Sequence, residues 1–146
     1  MDKIIEDKFL LSEVCQPVDT LEEGNDIAKR LWAVLDASRS GIGLAANQIG
    51  INKRVCVIRV RKPIVLINPK IVGSFGRISF NEGCLSFPGQ SILTERYANI
   101  LVEADNLNEP RIFNSGENML ECICVQHEID HLDGKTMFDR QYTMQA

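Results

Sequence analysis

The chain has 146 residues, 45% hydrophobic and 25% charged, with 16 basic against 20 acidic side chains and a net charge of -4. That length suits about one domain spanning residues 1–146, and the ordinary globular composition excludes disordered, collagenous and low-complexity chains. No basic cluster exceeds Arg59 to Lys62 and the longest aliphatic stretch is Ile64 to Ile67, so neither nucleic-acid binding nor a membrane span is expected.

The first eleven residues, MDKIIEDKFLL, alternate charged and apolar side chains and lack the basic and apolar regions of a secretory signal, so a cytoplasmic location is expected. Five cysteines, Cys15, Cys56, Cys84, Cys122 and Cys124, form an odd set without a CxxC pair, which fits a reducing compartment better than a disulfide framework. From Asn25 to about Ser38, residues Ile27, Leu31, Val34 and Leu35 recur at helical spacing behind an Asn25 or Asp26 cap, and Gly41 ends the helix. Between Arg54 and Glu103 the pattern changes to short β-rich runs, RVCVIRV, IVLIN, CLSF and YANILVEA, punctuated by Pro63, Asn68-Pro69, Gly73, Gly76 and Pro88-Gly89. Asp105 to Pro110 reads as a turn into Arg111-Ile112-Phe113. Ser115 with Glu117 then opens a second helix closed by Gly134. Strands clustered between two helices place the fold in the α+β class.

The second helix contains His127-Glu128-Ile129-Asp130-His131, an H-E-x-x-H match. Residues four apart share a helix face, so both imidazoles reach one metal ion while Glu128 points beside them toward bound water. A catalytic site needs a third ligand, and with no further histidine in the chain it must be Cys, Asp or Glu. Met137 stands where the extended protease motif has its third His, and no Glu follows Glu128, which disfavours ordinary zinc proteases. Cys124, His127 and His131 would spread over about 10 Å of one helix at about 1.5 Å per residue, so a ligand from another element is preferred. Cys84 is the candidate, because Gly83 permits close backbone approach and a following strand would hold the thiolate against the helix. On the same helix face, Leu120, Ile123 and Cys124 continue an apolar wall from the ligands, with Phe80 as a further wall, and a flexible thioether side chain suits such a pocket. The competing reading is that they are simply core, Cys124 equally so, since Cys122, Val125, Ile129 and Leu132 make the opposite face apolar too.

Three separated segments carry a family resemblance: Gly41-Ile42-Gly43-Leu44-Ala45-Ala46-Asn47-Gln48, Glu82-Gly83-Cys84-Leu85-Ser86, and Gln126-His127-Glu128-Ile129-Asp130-His131. In these, and over essentially its whole length, the sequence resembles the peptide deformylases. The resemblance implies mostly antiparallel strands packed around a central metal-binding helix, with a second helix toward the N-terminus. It implies that Cys84, His127 and His131 bind one divalent metal, with Fe²⁺ preferred and Zn²⁺, Ni²⁺ or Co²⁺ tolerated; ligand softness alone permits zinc too. Glu128 would act as general base and then acid on the bound water, and Gln48 with the Leu85 N–H would stabilise the oxyanion. Ile42, Gly43, Phe80, Gly83, Leu120, Ile123 and Cys124 would contact the substrate, a polypeptide beginning with N-formylmethionine. From the residues alone, Gln48 is a loop amide and Gly41 and Gly43 belong to a helix stop and a loop.

Glu82 and Asp130 each read equally as an acceptor for a ligand imidazole or as a solvated or structurally paired carboxylate, and Arg96 is a candidate partner for one of them. Two departures from the family pattern stand out. Ser91 is near where many relatives have an Arg that helps hold the peptide, and twelve residues follow Gly134 in place of a long ribosome-docking helix, which implies at most transient ribosome proximity and a monomer. The competing readings are a protease using the same helix, opposed by Cys84 and the Gln48 motif, and a catalytically silent metal-binding module, opposed by the intact Glu128.

Overall fold

The computed structural model describes residues 2–143. After a single helical turn, α1 (Lys8–Leu11), the first long helix, α2, spans Leu21–Ala37. It starts four residues before the expected Asn25 because Thr20 caps it: the Thr20 hydroxyl accepts from the Glu23 amide at 3.1 Å, while the Glu23 carboxylate accepts from the Asp19 amide at 3.0 Å. Gly24 then sits inside the helix, where an added Cβ would lie 2.8 Å from the Ile67 side chain, so its absence lets the helix pack close to a strand. Helix α2 ends at Ala37, with extended backbone at Ser38, before the expected stop at Gly41.

Among the described residues, six strands form two three-stranded antiparallel sheets, β1 (Gly43–Ala45), β2 (Val55–Ile58) and β3 (Ile64–Ile67), then β4 (Lys70–Gly83), β5 (Ser91–Glu103) and β6 (Arg111–Asn114). The first sheet is covered on both faces. Val55, Val57 and Ile67 pack against Ile27, Leu31 and Leu35 of α2, while Cys56, Ile58 and Leu66 join a cluster with the last helix and with Ile100, Val102 and Phe113 of the second sheet. This two-sided burial explains why β2 and β3 read as continuous apolar runs.

Three expectations from sequence are corrected here. Gly73 and Gly76 do not separate strands; β4 runs through both, with a bulge between Ile71 and Gly73 and with Gly76 at φ +75, a conformation glycine adopts without steric cost. The CLSF segment is a turn between β4 and β5, because the two long strands close on each other there and Phe87 turns away to pack with Leu11 and Met137. Gly43–Ala45 is a strand, followed by a 3₁₀ turn over Ala46–Ile49.

The last helix, α3, spans Ser115–Leu132. Its cap is Asn114, one residue before the expected Ser115, and accepts from the amides of Gly116 and Glu117. Asn118 departs from helical geometry, and its side chain accepts from the Glu121 amide at 2.9 Å, restarting the helix that carries the metal motif. From Glu121 to Leu132 every residue is buried, so this stretch forms the centre of the molecule between the two sheets. No helix among the described residues is long and apolar enough to cross a membrane.

Gly134 ends α3 at φ +76, and an added Cβ would meet the Ser12 carbonyl oxygen at 2.4 Å, whereas Gly50 at φ +82 has nothing within 4 Å. Gly50→Ala should therefore cost about 1 to 2 kcal/mol from left-handed backbone alone, and Gly134→Ala about 1 to 3 kcal/mol more from the backbone clash. Urea denaturation of the two variants checks this; equal midpoints would contradict it.

Candidate metal and catalytic centre

Cys84, His127 and His131 meet in space. Their ligand atoms all lie within 4.8 Å of one another, with His131 Nε2 3.2 Å from His127 Nε2 and 3.4 Å from Cys84 Sγ. A tetrahedral ion with bonds of about 2.05 Å to nitrogen and about 2.3 Å to sulfur separates its ligand atoms by roughly 3.3 to 3.6 Å. Both separations from His131 are close to this, so the cluster suits a single metal. Helix α3 supplies both imidazoles from one face, and the turn after β4 supplies the thiol. That turn is anchored from behind: Phe87 stacks edge-on with Phe138 at 4.9 Å, and the Lys8 ammonium lies 4.3 Å from the Phe138 ring.

Behind the ligands lies a buried charge network. Glu82 Oε1 accepts from His127 Nδ1 at 2.8 Å, leaving Nε2 to face the other two ligand atoms. Arg96 donates through Nε and Nη2 to Glu82 and through Nη1 to Asp130 at 2.8 Å, and the Thr94 hydroxyl also donates to Glu82. Arg140 in turn grips both Asp130 oxygens at 2.9 Å. Of the two readings open for each carboxylate, Glu82 is the histidine acceptor and Asp130 the structurally paired one, its oxygens taken by two guanidinium groups. Arg96 pairs with both carboxylates and not with one. Burial alone raises the pKa of Glu82, but its bonds to His127 and Arg96 outweigh this and bring it down to about 2. Burial lowers that of His127, yet Cys84, Glu128 and Glu82 outweigh this and lift it to about 10.

A cavity of about 430 Å³ opens over the ligands. Of the site residues expected from sequence, Ile42, Gly43, Gln48, Phe80, Gly83, Cys84, Leu85, Leu120, Ile123, Cys124, His127 and Glu128 line it, and His131 lies fully buried behind them. Ser91 is exposed and outside the lining; Phe87, Pro88, Gly89 and Gln90, which sequence reasoning missed, belong to it. Glu128 is buried with Oε1 unpartnered, and burial, partly offset by the charges of His127 and Arg96, raises its pKa to about 7. Gly43 makes room for it, since a Cβ there would lie 2.6 Å from Glu128 Oε2 and 2.7 Å from Cys124 Sγ. Gln48 is held by the Ala45 amide, which donates to its Oε1 at 2.9 Å, while its Nε2 donates to Ser86 Oγ at 3.1 Å and lies 3.6 Å from Cys84 Sγ. Ser86 was legible only as a member of the motif, not as the partner of Gln48.

Comparison with known proteins agrees with this geometry. Residues 2–146 match the family model described as polypeptide deformylase. The chain belongs to that family. It is 38% identical over 135 residues to a peptide deformylase of Hydrogenovibrio crunogenus, covering 88% of this chain and 78% of the relative. With a peptide deformylase of Buchnera aphidicola it shares 44% identity over 132 residues, 86% of this chain and 77% of the other. Among solved structures, a Legionella pneumophila peptide deformylase superposes with a TM-score of 0.83 at 36% identity, over 97% of this chain and 86% of that one. An actinonin-bound class I type b peptide deformylase of Acinetobacter baumannii gives 0.84 at 27% identity, over 97% and 99%. The chain is therefore a hydrolase that removes the formyl group from the N-terminus of nascent polypeptides, in a family of metalloenzymes.

Replacing Arg96 by Met would leave Glu82 facing His127 without its main counter-charge and Asp130 held by Arg140 alone. Removing one partner of a buried pair costs about 3 to 5 kcal/mol, so Arg96→Met should unfold at markedly lower denaturant and bind metal more weakly. A midpoint within experimental error of the parent would show that the network contributes little.

Proposed function

We propose that Cys84, His127 and His131 hold one divalent ion, Fe²⁺ in the working enzyme, and that the residues around it hydrolyse the formyl amide of N-formylmethionyl peptides within a single domain. The observation that carries this reading is the convergence of the three ligand atoms beneath a cavity into which Glu128 is built. Bound there, such an ion would supply Lewis-acid chemistry that lowers the pKa of water toward neutrality. The thiolate and two imidazoles accept Zn²⁺, Ni²⁺ or Co²⁺ as well, and the preference for Fe²⁺ rests on the family resemblance.

Glu128 does the proton transfer. Burial raises its pKa to about 7 and so makes its carboxylate a better base, which takes a proton from water and returns it to the departing amine. Gln48 cannot swing away, because its oxygen is tied to the Ala45 amide; its Nε2 and the Leu85 N–H donate to the oxyanion as the formyl carbon becomes tetrahedral. Phe80, Leu120, Ile123 and Cys124 receive the methionine side chain, while Ile42, Gly43 and Gly83 contact the peptide. A site complete in one chain supports a monomer. The substrate class supports transient proximity to ribosomes, and five unpaired cysteines support a cytoplasmic location.

Protein purified without oxygen should release formate from a formyl-Met peptide and leave its acetylated analogue and internal peptides intact; cleavage of internal bonds would favour a protease. Cys84→Ala should lose its metal. Glu128→Gln should keep the metal and lose about 10² to 10⁴ in rate, and near-normal turnover would remove Glu128 from the mechanism. Ile123→Phe should raise KM for formyl-Met peptides with metal content unchanged; an unaltered preference between formyl-Met and formyl-Ala peptides would place the pocket elsewhere.

A further inference from the structure

We infer that Asn47 is a positioning residue for His131, an inference that rests on the metal site proposed above. Asn47 is buried in the 3₁₀ turn after β1, and its Nδ2 donates to the backbone carbonyl of His131 at 2.6 Å. Two polar atoms of this pair have no partner: Asn47 Oδ1 and His131 Nδ1. His131 faces His127 and Cys84 through Nε2, so a ligand role for that nitrogen leaves the ring proton on Nδ1. A buried N–H and a buried amide oxygen are complementary, and they belong to residues already in contact. The two atoms make no direct bond in this structure, and one bridging water would satisfy both.

The amide cannot simply be reversed, because its oxygen would then face the His131 carbonyl, acceptor against acceptor. Asn47 thus holds the last turn of α3 through its nitrogen, and its oxygen is the acceptor assigned to the His131 ring N–H. Without that acceptor the ring is free to rotate, and Nε2 leaves the place where it lies 3.2 Å from His127 Nε2. The neighbouring Gln48 carries the same turn to Cys84 on the other side, so one short segment orients two of the three ligands.

The test uses Zn²⁺-loaded protein, whose diamagnetic ion permits long-range ¹H–¹⁵N NMR of the imidazoles. The parent should show a slowly exchanging Nδ1–H on His131, and Asn47→Leu should lose it. In chelator competition, Asn47→Leu should bind Zn²⁺ about 10- to 100-fold more weakly, the usual consequence of removing a ligand's hydrogen-bond partner. The thermal midpoint of the metal-free variant separately reads the loss of the helix contact. Rapid exchange of that proton in the parent, or Zn²⁺ affinity of a folded Asn47→Leu within about twofold of the parent, would overturn the inference. If the Leu variant does not fold, the same measurements on Asn47→Ala decide it. Failure of the parent to take up one Zn²⁺ removes the metal reading and this inference together, whereas tight parental binding with an unaffected variant removes Asn47 alone.

Discussion

The Arg96 guanidinium, with 2% of its surface exposed, sets the positions of the metal motif. From β5 it reaches Glu82 on β4 and Asp130 on α3, and so fixes the last helix against the second sheet in one register. Removing three charges from water is costly, and each is compensated by direct bonds: Glu82 by Arg96, Thr94 and His127, and Asp130 by Arg96 and Arg140. Because Glu82 keeps its charge even when buried, it fixes the tautomer of His127 and aims Nε2 at the other ligands. A shift of β4 along β5 would break the guanidinium bonds and displace Cys84 together.

Helix α3 is unusual in burying polar as well as apolar residues over twelve consecutive positions. Most of its polar groups find partners outside the catalytic centre. Glu121 pairs with Arg61, Gln126 bonds the backbone of Tyr97 in both directions, and Asp130 has its two arginines. Among the described residues, the buried side-chain atoms left unpartnered are Asn47 Oδ1, Glu128 Oε1 and His131 Nδ1. Glu128 and His131 belong to the candidate metal site, and Asn47 bonds the His131 backbone. Satisfied polar groups specify the packing, and unsatisfied ones concentrate at and beside the proposed site.

The cavity follows from the same arrangement. Gly43 lacks the Cβ that would collide with Glu128, which lets β1 approach α3 and form one wall, while the turn after β4 forms the other. That turn has no strand partners of its own and relies on Phe87, packed between the N-terminal turn and the segment after α3. The chain's two ends thereby support the residue that supplies the thiol.

Much of the chemistry was legible in sequence because it is local. The H-E-x-x-H spacing places two imidazoles on one helix face whatever surrounds them, the apolar positions at 120, 123 and 124 follow from the same 3.6-residue period, and shortage of other donors pointed to Cys84. Boundaries failed where packing overrode local signals. Gly24 lies inside a helix because Ile67 needs its space, Gly76 lies inside a strand because neighbouring strands pair across it, and CLSF turns because β4 and β5 close there. The sequence by itself determined the donor types, their helical spacing and the α+β class. Only the tertiary structure decided that Arg96 serves both carboxylates, that Ser86 holds Gln48 and that Asn47 lies against His131, because residues 34, 38 and 84 positions apart meet through packing that no local period encodes.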